Sequence, residues 1–285
     1  MPDTFTPTLT TTDWNEEWKA LQTARAHPDN AAEWDERSKT FHTAHGTHST
    51  YSNAFMQLAG VQPGEIVFDM GCGTGALAIP YAAAGNPVLA CDFSRGMLDV
   101  LEQTASEDGL DNIQTIQMSW ADDWAAHGVR ENCADVAIAS RSIATCDLKD
   151  SLLKLTAVAR RRACITLPCG ASPRTDEKLM GALGLKNQVG RDFAYAVNIL
   201  IHEGFYPEVN YIPSRRKETF ETFEDARVYF EKVVRQATKT LDSTDVEPAI
   251  ERITPWLESN LVESDEGLRL AEERVVTWAF IAWNK

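Results

Sequence analysis

The feature that most constrains this chain is a glycine-rich turn that directly follows an apolar run. Residues 65–70 read EIVFDM, residues 71–75 read GCGTG, and an alanine-rich stretch of helical composition then continues to Gly85. Glycines between a strand and a helix allow backbone amides to approach a ligand closely at the amino end of that helix. The order of these segments predicts a ligand-binding turn in an α/β fold.

Predicted strands and helices alternate along most of the remaining chain. Helices are expected at 94–109, where Ser94 is a plausible N-cap, at 148–162, which ends in three arginines, and at 192–205. This alternation is typical of a parallel sheet that is covered by helices on both faces. The further strands are expected at 87–92, 113–118, 135–140, 163–170, 208–213 and 275–283.

The pattern divides the chain into a core and two additions to it. Thr222 and Asp225 have the spacing of a capping box, which indicates the start of a helix. The predicted organisation is an N-terminal helical lid at 1–60, an α/β core at 61–216, a helical insertion at 217–272 and a terminal strand of the core sheet at 273–285.

The composition argues against several classes of partner. The formal net charge is −15, and such a surface repels the phosphate backbone of nucleic acids. No apolar run approaches the roughly 18 residues of a membrane span, and the first residues lack the features of an export signal. The six cysteines form no C-x-x-C pair, which predicts free thiols and argues against a structural zinc site of paired cysteines. We therefore expect a cytoplasmic protein without a nucleic-acid or membrane partner.

The glycine turn alone fits two kinds of ligand. Read through Ala76, the turn also satisfies the looser dinucleotide fingerprint, and Asp92 follows at a distance compatible with an acid that binds ribose. Asp69 lies two residues before the first glycine, where its charge would repel a pyrophosphate but attract a cationic ligand. The residues therefore favour a positively charged adenosyl ligand over NAD(H).

Two motifs resemble those of the class I S-adenosylmethionine-dependent methyltransferases. VFDMGCGTG is similar to the first motif of that family, and VLACDFSRGML is similar to the second, in which the acid takes the ribose hydroxyls and the next residue contacts adenine. Those positions are Asp92 and Phe93 here. The resemblance implies a doubly wound, mostly parallel seven-stranded sheet of order 3-2-1-4-5-7-6, with S-adenosylmethionine as cofactor and S-adenosylhomocysteine as its product.

The resemblance also implies which residues contact the cofactor. The chain departs from the family after the third strand, because Ser119 or Trp120 occupies the usual position of an acid; Trp120 would instead supply a flat apolar wall for adenine. The lead-in helix of similar small-molecule enzymes folds over the cofactor. The candidate contacts are Asp69, Gly71, Cys72, Gly73, Asp92, Phe93, Met97, Trp120, Ala121, Ser140, Tyr51 and Arg37.

Candidate catalytic residues are fewer, because methyl transfer needs a base only when the nucleophile must lose a proton. His42 and His45 belong to a triplet of histidines with His48, which could instead be a solvated loop or, as a further alternative, bind a metal. Tyr195 is a further candidate base. Arg141 follows the fourth strand, where it could steer an anionic substrate or pair with Asp147.

The sequence thus predicts an enzyme that transfers a methyl group to a small-molecule acceptor of unknown identity. Two alternatives stay open: a protein that binds S-adenosylmethionine without catalysis, as a regulator or scaffold, and an NAD(H) oxidoreductase. A homodimer is a further open expectation.

Overall fold

The computed structural model describes residues 7–25, 30–44, 50–170, 175–185, 190–216, 218–238 and 243–285, without the side chains of 39–44, 216 and 243–245. The chain divides into two compact units. The first comprises Met1–Leu167, Asp192–Ile212 and Ala279–Lys285, and the second comprises Pro168–Arg191 and Pro213–Trp278.

A seven-stranded sheet forms the centre of the first unit. Its strands are β1 (Val67–Met70), β2 (Val88–Asp92), β3 (Ile113–Gln117), β4 (Ala134–Ser140), β5 (Ala159–Cys169), β6 (Glu208–Arg216) and β10 (Arg274–Asn284). Their order is β3-β2-β1-β4-β5-β10-β6, and the pairs β1/β2, β2/β3, β1/β4 and β4/β5 are parallel. Three short strands outside this sheet lie between β6 and β10 in the chain, so β10 takes the place of the predicted seventh strand. The predicted order is confirmed.

Helices accompany this sheet in the first unit. Ser94 caps α6 by accepting a hydrogen bond from the Met97 amide, as the sequence predicted, and buried Leu98 and Leu101 face the sheet. The helices are α1 (Thr8–Thr11), α2 (Trp14–Arg25), α3 (Ala31–Ala44), α4 (Thr50–Ala59), α5 (Ala78–Ala83), α6 (Arg95–Glu107), α7 (Leu148–Val158) and α9 (Asp192–His202), with a 3₁₀ turn at Trp124–His127.

The N-terminal helix α2 is part of the apolar core of this unit. Trp18 is fully buried, and its indole nitrogen donates a hydrogen bond to the Thr145 carbonyl at 2.7 Å. Arg25 forms a bidentate ion pair with Asp192, the first residue of α9, at 2.7 and 2.8 Å. These contacts seat α2 against α7 and α9.

The second unit has its own core. Its elements are α8 (Glu177–Ala182), α10 (Phe223–Ala237), α11 (Ser243–Glu251) and α12 (Ile253–Asn260), with β7 (Thr219–Phe220), β8 (Leu261–Ser264) and β9 (Gly267–Leu270). Thr222 and Asp225 form both hydrogen bonds of the predicted capping box at the start of α10. Phe230 is buried in the core of this unit and packs edge-on against Trp256.

The segment 217–272 is helical only in part, which corrects the expectation of a helical insertion. Its strands form a small sheet of order β7-β9-β8, in which β8 and β9 are antiparallel. Leu268 and Leu270 of β9 pack against the core of the unit, whereas Glu263 of β8 is exposed. Strands this short carry too few alternations to stand out beside three amphipathic helices.

The predicted helix over 148–162 is wrong at its end. The helix α7 stops at Val158, and the three arginines that follow lie in β5. Each arginine there pairs with a carboxylate: Arg160 with Asp135, Arg161 with Glu65 and Arg162 with Glu208. Ion pairing across the sheet allows these charged residues to occupy a strand, although their composition suits a helix terminus.

None of the described helices combines the length and apolar composition that a membrane span requires.

Candidate functional site

The glycine turn leaves the end of β1 and is fixed to the neighbouring strand. The amides of Gly71 and Cys72 both donate to the Cys91 carbonyl in β2, at 2.7 and 3.0 Å. Gly71 has a φ of +75°, and a Cβ at this position would lie 2.3 Å from the Cβ of Ser142. Only glycine fits, because the turn is left-handed and packs directly against the segment after β4.

The second glycine of the turn faces open space beside an acid. Gly73 has a φ of +55°, and no described atom lies within 4 Å of the position that a Cβ would take there. Its amide donates to Oδ2 of Asp92 at 2.9 Å, while Oδ1 of the same carboxylate accepts from the Ser94 amide at 2.9 Å. The carboxylate at the end of β2 is therefore held against the turn, next to space that a ligand could fill.

Asp69 is a buried acid at the base of the same turn. Its exposed fraction is 2%, and no hydrogen bond to its carboxylate comes from the part of the chain that the structure describes. Burial raises the pKa of Asp69 to about 8, and the charge of nearby Asp92 adds to this effect. A buried acid without a hydrogen-bond donor is suited to pair with a cationic group on a ligand, which would favour its ionised form.

A cluster of hydroxyl groups lies where β4 and β5 end. The Tyr51 hydroxyl is 2.8 Å from both Ser140 Oγ and Thr166 Oγ1, and Thr166 Oγ1 also accepts from the Arg141 amide at 3.0 Å. The Arg141 guanidinium stacks over the Tyr51 ring, 3.5 Å from its centroid. Arg141 has a φ of +62°, an uncommon conformation for a residue with a side chain. The alternative partner considered for it, Asp147, pairs with Lys19 at 3.0 Å.

The loop after β3 approaches the same edge of the sheet. The indole nitrogen of Trp120 donates to the Ser142 carbonyl at 2.9 Å, and the ring packs against Trp124. Trp120 is half-buried, whereas Ala121 is exposed. The hydrogen bond orients Trp120 beside the residue that contacts Gly71, which is compatible with the predicted apolar wall.

Two residues at this site were not among those predicted from the sequence. Asp35 in α3 accepts hydrogen bonds from Ser94 Oγ at 2.5 Å and from the Gly96 amide at 3.0 Å. Thr166 in β5 is fully buried and joins the hydroxyl cluster. Local sequence patterns such as capping boxes and helix periodicity could not predict these contacts. Both contacts join segments that lie far apart in the chain.

The other residues predicted for the site lie in several different parts of the first unit. Phe93 is half-buried and Met97 is buried, both at the amino end of α6 near the Asp92 carboxylate. Arg37 stacks on Trp34 within α3. Tyr195 packs edge-on against Trp14 and Trp18, with ring centroids 6.3 and 5.7 Å apart. The side chain of His42 and all of His45 and His48 lie outside the described residues.

The segment that contains the glycine turn, Asp69 and Asp92 was compared with known sequence families. Residues 67–161, which contain β1 to β4, match the family described as a methyltransferase domain. Residues 67–161 are thus similar to a methyltransferase domain. The resemblance to class I methyltransferases is thereby confirmed, and the predicted cofactor, S-adenosylmethionine, agrees with it.

Proteins similar to this chain are found by sequence and by structure. An uncharacterized protein of Haemophilus influenzae is 36% identical over 182 residues, which cover 63% of this chain and 65% of that protein, so the chain spans less than two thirds of its length. The YcgJ protein of Bacillus subtilis superposes with a TM-score of 0.53 at 10% identity, over 84% of this chain and 99% of that one. The BH2331 protein of Bacillus halodurans gives 0.53 at 12% identity, over 83% and 99%. The structural likenesses show the shared fold.

Proposed function

We propose that this protein is an S-adenosylmethionine-dependent methyltransferase that acts on a small-molecule acceptor in the cytoplasm. The observation that carries the proposal is the buried Asp69 carboxylate, which no described donor reaches, below a glycine turn with open space at Gly73. A ligand with an ammonium group and a ribose fits this combination, because Asp69 can pair with the cation and Asp92 can accept the ribose hydroxyls.

The residues that would hold the cofactor lie at the carboxyl ends of neighbouring strands. Asp69 would hold the ammonium group, Asp92 the ribose, and Phe93, Met97 and Trp120 the adenine. When bound, S-adenosylmethionine supplies an electrophilic methyl group on a sulfonium centre. The chain then has to hold the acceptor in line with that group and exclude water, and positioning of this kind can contribute ~7 kcal/mol or more to a rate.

Arg141 and Tyr51 would form the acceptor side of the site. Arg141 directly precedes Ser142, the neighbour of Gly71, and stacking on Tyr51 orients the Arg141 guanidinium. A guanidinium recognises carboxylate or phosphate groups, so an acceptor that carries an anionic group fits this position.

Where the acceptor must lose a proton, His42 or His45 would serve as the base, with Tyr195 as a further candidate. We further propose that the chain forms a homodimer.

Ligand binding tests the proposal directly. We expect S-adenosylhomocysteine and S-adenosylmethionine to raise the Tm of the purified chain, by an amount equivalent to about 2.7 kcal/mol at a hundredfold excess over Kd, whereas NADH leaves Tm unchanged. Formation of S-adenosylhomocysteine with a panel of small acceptors then tests turnover. Stabilisation by NADH alone would overturn the proposal, and binding without turnover of any acceptor would favour the non-catalytic alternative.

The raised pKa of Asp69 leads to a prediction about pH. In the free protein the carboxyl is protonated below pH 8, and a cationic ligand favours its ionised form, so binding at lower pH must release a proton. We therefore expect the affinity for S-adenosylhomocysteine to rise about tenfold from pH 6 to pH 7, where the ammonium group of the ligand stays protonated. Titration calorimetry in two buffers of different ionisation enthalpy should show release of close to one proton.

The matched variants for this measurement are Asp69→Asn and Asp99→Asn. The first removes the titrating group and should abolish both the pH dependence and the proton release. The second alters an exposed acid in α6 that pairs with Arg95, and should leave both unchanged. An equal pH dependence in Asp69→Asn would show that another group is responsible.

A further inference from the structure

We propose that Asp35 is a positioning residue, which docks α3 onto the amino end of α6 and, through Ser94, orients the Asp92 carboxylate. The proposal rests on the proposed function, because it assigns Asp35 a role in the affinity for the adenosyl ligand without contact with that ligand. Nothing in the two sequence motifs includes Asp35, which precedes the glycine turn by more than thirty residues.

The first observation is the pair of hydrogen bonds at the start of α6. Oδ1 of Asp35 accepts from Ser94 Oγ at 2.5 Å and from the Gly96 amide at 3.0 Å. These bonds hold the pKa of Asp35 below its usual value, so the carboxylate is ionised at neutral pH. A negative charge is favoured at this position because the free amides of the first helical turn carry partial positive charge.

The second observation is the close approach of the two helices. A Cβ on Gly96 would lie 2.8 Å from Ser38 Oγ and 3.1 Å from the Asp35 Cα. The backbone of α3 therefore lies directly on the first turn of α6, and Ser38 is buried there. Asp35 lies within the interface between α3 and α6, so its hydrogen bonds to Ser94 and Gly96 fix the position of α3.

The third observation is that Ser94 serves two carboxylates. Its hydroxyl donates to Asp35, while its amide donates to Oδ1 of Asp92 at 2.9 Å. Oδ2 of Asp92 in turn accepts from the Gly73 amide in the glycine turn. A continuous series of hydrogen bonds thus runs from α3 through Ser94 and Asp92 to the turn. Loss of Asp35 releases the hydroxyl end of Ser94 and with it one restraint on Asp92.

The test measures the affinity for S-adenosylhomocysteine by titration calorimetry. We expect Asp35→Ala to weaken binding about tenfold, the effect of losing a charge-assisted hydrogen bond. Asp35→Asn, which keeps an oxygen acceptor, should recover part of the affinity, and it serves where the alanine variant folds poorly. Glu33→Ala changes an exposed acid in the same helix and should bind as the wild type does. In turnover, the KM for S-adenosylmethionine should rise while kcat at saturation stays unchanged.

A double-mutant cycle separates positioning from a general loss of structure. If Asp35 acts through Asp92, Asp35→Ala should cost less affinity in the Asp92→Asn background than in the wild type. Equal costs in both backgrounds, or wild-type affinity in Asp35→Ala, would overturn the role assigned to Asp35. Failure of the wild-type chain to bind S-adenosylhomocysteine would instead overturn the proposed function, and the role of Asp35 with it.

Discussion

Replacement of Gly71 by alanine is expected to lower the free energy of unfolding by about 2–4 kcal/mol and to abolish measurable binding of S-adenosylhomocysteine. Two costs combine at this position. The φ of +75° is strained for any residue with a side chain, and the new Cβ would lie 2.3 Å from the Cβ of Ser142. Ser142 cannot relieve the clash by rotating its side chain, because its Cβ is fixed by the backbone. Its Oγ also donates to the Met70 carbonyl at 2.6 Å.

Gly109 offers a matched control for the backbone strain alone. Its φ is +68°, but no described atom lies within 4 Å of the position of an added Cβ. Gly109→Ala should therefore cost only ~1 kcal/mol and leave ligand binding intact. Urea unfolding, together with thermal shifts with and without S-adenosylhomocysteine, measures both effects. Equal destabilisation by the two variants, or retained binding in Gly71→Ala, would contradict the close packing of Gly71 against Ser142.

Replacement of Trp18 by alanine is expected to destabilise the first unit by about 3–5 kcal/mol, with a fall in Tm of roughly 6–20 °C. Trp18 is fully buried in the core, packs edge-on against Tyr195 and donates a hydrogen bond to Thr145. Its truncation leaves a cavity and removes the hydrogen bond to the half-buried Thr145 carbonyl. Thermal and urea unfolding of the purified variants measure the cost.

Two further variants in α2 serve as comparisons for Trp18→Ala. Trp18→Phe keeps most of the apolar volume but removes the hydrogen bond to Thr145, so it should cost only about 1–2 kcal/mol. Glu17→Ala changes an exposed neighbour in α2 and should be close to neutral. A small cost for Trp18→Ala would mean that α2 is not seated in the core and acts as a detachable cover.

Buried Trp18 lies within the segment 1–60, for which the sequence predicts a helical lid. The structure shows two different roles within that segment. In α2, Asn15 is buried, donates to Asp147 and accepts from the Lys149 amide at the start of α7. In α3, Asp35 and Ser38 contact the start of α6, beside the proposed cofactor site. We therefore propose that α3, rather than the whole segment, covers the ligand.

The sequence by itself determined the central fold and the position of the glycine turn. The turn, the acids Asp69 and Asp92 and the N-cap Ser94 are local patterns, in which the spacing along the chain decides the geometry. These local features could be predicted because each depends on residues within one strand–turn–helix unit. The order of the seven strands, which involves most of the chain, was instead implied by the family resemblance.

The tertiary structure alone decided which distant side chains complete the site. Asp35 meets Ser94 across 59 residues, and Tyr51 meets Thr166 across 115. It also placed the three arginines in β5, where partners on other segments pair with them. Periodicity reports which face of an element is buried but not which residue of another element lies opposite. That choice depends on how the helices and strands pack, and the pKa of Asp69 follows from the same packing because burial sets it.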